Sequence, residues 1–285
     1  MASLRQQDPY AKQAERRLMN GRLTQRPDAS VPGGRPYPGL RVSSVALALR
    51  WASSRWPFVE EEVAGLRPLV RPGAVCLDIG AEYGLYTWSL SALAGPSGKV
   101  HSVEPLHGPA KWLRVTAAAL GCDNVTVHRM ALGARAHEGT MSLPRRRLLP
   151  VHGRAYLTEG ASGPGPNVEF PNSRPVTTPV RTVDGLCNHM GLDRVDFIKA
   201  DVEGAEAAVL SGARHTLLRH RPALLLEIED RHLEKYDTKS GDLVSRLMEL
   251  GYDMYRWRNR GWKRVADVTD DCRNYLFSAR STASS

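Results

Sequence analysis

Short apolar runs alternate with amphipathic stretches from about residue 74 onward. Runs bounded by Gly, Pro or Asp predict strands over 74–79, 99–104, 124–128, 195–200, 223–228, 253–257 and 275–279. Helical spacing predicts helices over 86–94, 109–120, 182–190, 205–218 and 241–250. Strands alternating with helices indicate an α/β fold, a mostly parallel sheet of seven strands with helices on both faces. Three regions stand outside this rhythm. Residues 1–40 read as a partly flexible N-terminal appendage, helical over 10–23 and then broken by Pro27, Pro32, Gly33, Pro36 and Pro38. Residues 41–70 return to helical spacing as a lead-in, and 71–285 form the main domain. Within it, 133–182 reads as an irregular insert whose Gly/Pro/Ser-rich part, 160–175, suits a mobile loop that orders over a substrate.

Composition changes this picture little. Hydrophobic residues are 42% and charged residues 24%, ordinary for a globular domain. The net charge of +9 favours acidic partners, and Arg145-Arg146-Arg147 concentrates it. The four cysteines are too far apart for a C-x-x-C metal or redox motif, and Cys76 sits in an apolar run as a core residue. No apolar leader and no run near the ~20 residues of a membrane span are visible, so a cytoplasmic protein is expected.

Three motifs carry chemistry. In Asp78-Ile79-Gly80-Ala81-Glu82-Tyr83-Gly84 a strand enters a glycine turn and then a helix. Gly80 permits the tight turn, Gly84 a close approach by a ligand or the helix, and helix-start amides can meet a polar ligand. Asp78 suits a cationic group such as the amine of a methionine moiety. The G-x-x-x-G spacing departs from the G-x-G-x-x-G of dinucleotide enzymes. Next, Glu104-Pro105 ends the second strand, where a carboxylate accepts hydrogen bonds from both ribose hydroxyls of an adenosine ligand. Last, Asp201, Glu203 and Glu206 cluster where the fourth strand meets its helix, at the sheet edge where such folds bind ligands.

The stretches LDIGAEYGLYT, VEP, VRTVDGL, IKADVEGAEAAVLSGA and RPALLLEIE, in that order, resemble the FkbM family of methyltransferases over roughly residues 70–280. The resemblance implies a Rossmann-like methyltransferase domain, S-adenosylmethionine as methyl donor, and O-methylation of a hydroxyl on a sugar, glycan or natural-product small molecule. The expected cofactor-binding set is Asp78, Gly80, Ala81, Gly84, Tyr86, Thr87, Glu104, Pro105, Met130, Ala131 and Asp201. Two positions depart from the family pattern: Glu82 stands where Asn is usual, and Ala200 where a larger apolar residue is usual.

A hydroxyl is a weak nucleophile, so a general base is expected. Asp201 is the first candidate and Glu227, at the end of the next strand, the second, with Glu203 and Glu206 positioning the acceptor. Asp201 and Glu227 could instead hold a divalent metal, the less favoured route. His107, His152 and His232 fall in loops near the same edge and read as exposed. Trp112, Trp257 and Trp262 read as packing residues. Rival readings are a nicotinamide-dependent dehydrogenase, a nucleic-acid methyltransferase and a non-catalytic S-adenosylmethionine-binding module.

Overall fold

The computed structural model describes residues 39–53, 60–147, 149–170 and 172–279; the expected helix over 10–23 lies outside these. In chain order come α1 (Leu40–Ser53), a 3-10 turn (Glu61–Gly65), β1 (Val75–Ile79), α2 (Leu85–Ala94), β2 (Lys99–Val103), α3 (His107–Leu120) and β3 (Val125–His128). The insert region adds β4 (Ala131–Leu132), β5 (His137–Arg146), β6 (Leu149–Pro150), β7 (Tyr156–Leu157) and β8 (Asn172–Arg181). Then follow α4 (Val183–Met190), β9 (Phe197–Ala200), α5 (Glu206–Ser211), α6 (Arg214–His220), β10 (Ala223–Glu227), α7 (Asp230–Leu233), α8 (Ser240–Glu249), β11 (Tyr252–Arg258), β12 (Gly261–Arg264) and β13 (Asn274–Ala279).

The main sheet runs β12-β11-β13-β10-β9-β1-β2-β3. The pairs from β10 through β3 are parallel, and β13, β11 and β12 are antiparallel. All residues of β1 and β9 are buried, as expected of strands covered on both faces. Core clusters lie on the two faces, one around Leu77, Ile198, Leu224 and Leu247, the other around Cys76, Leu90, Phe197 and Leu276. The seven expected strands are joined by an eighth, β12. Asn259 and Arg260 both take positive φ, 51° and 58°, the signature of a tight turn that folds the chain back on β11. Trp257 and Trp262 then meet edge to face across that hairpin and cover Gly65. The expected helix over 205–218 is broken at Gly212. A Cβ there would lie 2.1 Å from the Gly133 carbonyl, and the Asp184 carboxylate accepts the amides of His215 and Thr216 to start α6 afresh.

The insert corrects a second expectation. Residues 133–182 are not irregular: β5 and β8 pair over nine rungs, from His137↔Val180 to Arg145↔Asn172, within a second sheet β4-β8-β5-β6. Pro144, Pro175 and Pro179 hide these strands in the sequence. All three fall on one alternating class of rung, where a missing N–H removes nothing from the shared ladder. Nor is 160–170 free: Ser162 donates its amide to the Lys235 carbonyl, and Asn167, buried, donates Nδ2 to the Arg154 carbonyl. No helix among the described residues is long and apolar enough to cross a membrane.

Candidate active site

The turn after β1 is shaped by what packs on it. Gly80 has φ +80°, and a Cβ there would lie 1.8 Å from the Asp201 carbonyl oxygen, so only glycine lets the β1 and β9 ends converge. Gly84, φ +91°, makes room for the Trp88 ring; the close approach is made by the helix. The amides of Gly80 and buried Ala81 both donate to the Val103 carbonyl. Asp78 is buried and accepts from the Thr87 hydroxyl at 2.5 Å, while Thr87 also meets Ser102. Tyr86, buried too, donates to Glu60. Asp78, Ala81, Gly84, Tyr86 and Thr87 therefore do not line the cavity that opens at this edge; they set the turn that borders it.

That cavity measures about 260 Å³. Gly80, Glu104, Pro105, Met130, Ala131, Asp201, Glu203 and Glu227 all line it, which gathers motifs more than 100 positions apart. Glu104 is 4% exposed, with Oε1 accepting the Leu106 amide at 2.7 Å and Oε2 the Glu82 amide at 3.1 Å. Each oxygen keeps a lone pair for a further donor. Burial pushes this carboxyl up to about 7 despite those two amides. Glu82 takes φ 43°, in the left-handed region that Asn tolerates better than Glu, which is the physical sense of the Asn usual there. Its carboxyl lies beside Gly153 in the 3-10 turn His152–Arg154, where burial and then Asp201 and Glu203 raise its pKa.

Across the cavity Asp201, Glu203 and Glu227 each bring a carboxylate oxygen within 4.8 Å of the others. Asp201 Oδ2 lies 3.7 Å from Lys199 Nζ. Lys199 is fully buried and also donates to Asn274, which donates to Glu60. Burial opposes the Lys199 charge, but Asp201, Glu60, Glu227 and Asp78 outweigh it and hold its pKa above the ordinary value. For Glu227 an upward shift removes the charge instead of keeping it: burial, then the Asp201 charge, push it up to about 10, so it carries a proton at neutral pH. Glu203 takes φ 57°, and Gly204 after it sits where a Cβ would lie 2.1 Å from the His232 carbonyl oxygen. This strained turn turns the Glu203 side chain toward His232, whose Nδ1 lies 2.6 Å from Oε2.

Glu206 does not line the cavity. It is buried and accepts the amides of Val202 and Gly204, bracing the strained turn, and burial pushes its pKa up to about 7. His232, expected in an exposed loop, is 2% exposed in α7. His152 lines the cavity and contacts the exposed Tyr83 hydroxyl, and Tyr83 meets the exposed Trp112 edge to face, so Trp112 is not a core packing residue. Arg154 carries no sequence signal of its own; Lys199 shows only as a lysine inside the otherwise apolar strand FIKA, and His232 only as a histidine near the ligand edge that reads as exposed.

The model of the FkbM methyltransferase domain matches residues 78–254. Over 256 residues the chain is 24% identical to the AMB antimetabolite synthetase AmbE of Pseudomonas aeruginosa, a match covering 80% of this chain and 11% of that protein. Over 59 residues it is 36% identical to the 2-O-methyltransferase NoeI of Sinorhizobium fredii, covering 21% of this chain and 24% of that one. The chain thus aligns with less than a quarter of the length of either curated relative. A crystal structure of methyltransferase FkbM from Methylobacillus flagellatus is similar at 17% identity and TM-score 0.46, covering 84% of this chain and 60% of that one. With the family match spanning the glycine turn, Glu104 and the acid cluster alike, the chain belongs to the FkbM family of S-adenosylmethionine-dependent methyltransferases.

Proposed function

We propose that this chain methylates a hydroxyl oxygen of a sugar, glycan or natural-product small molecule. The observation that carries this reading is the cluster of Asp201, Glu203 and Glu227 around one cavity wall. A hydroxyl must lose a proton as it is methylated, and these are groups that can take it. The likeness to NoeI, a 2-O-methyltransferase, supports oxygen as the acceptor atom, and that to AmbE, an antimetabolite synthetase, supports a natural-product setting.

The donor set fits the cofactor. Glu104, oriented by two amides, accepts from ribose hydroxyls, and Met130, Ala131 and Leu132 supply an apolar wall beside it. When bound, S-adenosylmethionine supplies an electrophilic methyl group on a sulfonium. Asp201, fixed by Lys199, and Glu227, protonated, orient the acceptor hydroxyl by accepting and donating. Glu203 would take the proton that the hydroxyl oxygen must lose as it is methylated. Lys199 already supplies a positive charge 3.7 Å from Asp201, which a metal ion on the same carboxylate would have to face.

A panel of hydroxylated acceptors, read by mass spectrometry for a gain of one methyl group, tests the proposal. Glu203→Gln should lower turnover roughly 10²–10⁴-fold while S-adenosylhomocysteine still binds. Product methylated only on nitrogen or carbon would overturn the oxygen assignment. Turnover should also survive a chelator; its loss would give the three carboxylates to a metal ion.

A further inference from the structure

Two residues that no sequence motif marks converge on Glu203. His232 comes from α7, beyond β10. Arg154 comes from the 3-10 turn between β6 and β7, in the second sheet. Arg154 Nη1 lies 3.0 Å from His232 Nε2 and 3.8 Å from Glu203 Oε2. A guanidinium has only donors, so Nε2 must be the bare, accepting nitrogen. The ring proton then sits on Nδ1, facing Glu203 Oε2 at 2.6 Å. The contact is too bent to count as a hydrogen bond as it stands, yet neither atom has a hydrogen-bond partner elsewhere, Arg154 stands no nearer to Oε2 than 3.8 Å, and a bare Nδ1 would set two lone pairs against each other. Glu229 does not compete: its Oε1 stands 3.9 Å from Nε2, and both its oxygens bond Arg231.

From this geometry we propose that Arg154 and His232 are positioning residues, a relay that fixes the orientation of Glu203 as proton acceptor, resting on the O-methyl reading above. Arg154 sets the tautomer of His232, and His232 holds Oε2 of Glu203, the oxygen buried from solvent. Oε1 is left to meet the acceptor hydroxyl in the cavity. The common tautomer of free histidine carries its proton on Nε2 and would leave Oε2 unheld. The second sheet thereby contributes to the reaction without touching the reacting atoms. Its hold on Arg154 is itself fixed, because buried Asn167 donates to the Arg154 carbonyl at 2.9 Å.

The test begins with the full chain labelled with ¹⁵N in its histidine rings. At neutral pH His232 should show a protonated Nδ1 and a bare Nε2, and Arg154→Met should shift the ring toward the Nε2–H form. A wild-type ring protonated on Nε2, or on both nitrogens, overturns the relay. The second arm compares His232→Asn, which keeps a donor where Nδ1 stood, with His232→Leu, which has none. With an acceptor from the panel, the Leu variant should lose about 10²-fold in kcat at little change in KM, the scale expected from misplacing a reacting group. The Asn variant should recover most of that loss. Equal loss in both variants, with S-adenosylhomocysteine binding and melting temperature intact, also overturns it. Failure of the O-methyl reading is separate: the panel would show no oxygen product, while the ring spectrum would still decide the relay.

Discussion

At neutral pH Glu227 keeps a proton that its usual pKa of 4.5 would release, because the fold takes it from water and sets it against Asp201. A carboxyl raised on folding stabilises the fold while protonated. Its contribution is complete below the ordinary value and disappears as pH rises through about 10. Glu227→Gln mimics the protonated form. Its melting temperature should therefore track the wild type below about pH 4.5 and exceed it by a growing margin as pH rises toward about 10. Asp201→Asn has the opposite character. It leaves the buried Lys199 ammonium with Asn274 as its remaining close partner, and should cost about 1–3 kcal/mol of stability by denaturant titration. Activity loss in that variant must be read beside its melting temperature. Glu104 titrates near 7, so the affinity for S-adenosylhomocysteine should fall as pH drops below that value, and Glu104→Gln should flatten the dependence. A calorimetric titration at three pH values checks both statements.

Turns decide which of the elements above were visible beforehand. The strand–turn–helix units around Gly80, Glu104 and Asp201 were legible because each joins an apolar run to polar punctuation at the point where the ligand edge forms. Gly80 and Gly95 both have positive φ, yet a Cβ at Gly95 meets nothing within 4 Å. Gly95→Ala should cost about 1–3 kcal/mol from the backbone alone, because φ 68° with ψ −174° is a conformation almost confined to glycine. Gly80→Ala should cost about 1–3 kcal/mol more from the collision with the Asp201 carbonyl, and comparing the two melts isolates that collision. The β5–β8 ladder was hidden by its prolines, and β12 by a charged tip, Arg258-Asn259-Arg260, that reads as loop. Arg260 occupies the second turn position at φ 58°, where glycine is preferred. Arg260→Gly should raise the melting temperature, by about 0.5–1 kcal/mol of added stability. Arg154 and His232 were illegible for another reason. They gain their chemistry from each other across 78 positions, and neither periodicity nor spacing encodes such a meeting.

Across the whole molecule, the site depends on anchors distant from it. The 160–170 stretch is held at Ser162 and Asn167, so limited proteolysis should spare it in the wild type. Asn167→Ala should expose it to cleavage and weaken the placement of Arg154; equal resistance in both proteins would show that the anchor is unimportant. The buried ammonium at the floor of the acid cluster has a wider reach. Lys199 is satisfied by Asn274 at the start of β13, and Asn274 in turn bonds Glu60, ahead of β1. Strand β13 inserts between β10 and β11, both made before it. A ribosome therefore finishes every residue of the cavity, Arg273 last, before it makes the amide that partners the lysine beneath. Until β13 slots in, β11 and β10 have no strand between them and Lys199 lacks that neutral partner. A chain ending before Asn274 would carry all three acids without the neutral partner of the lysine beneath them.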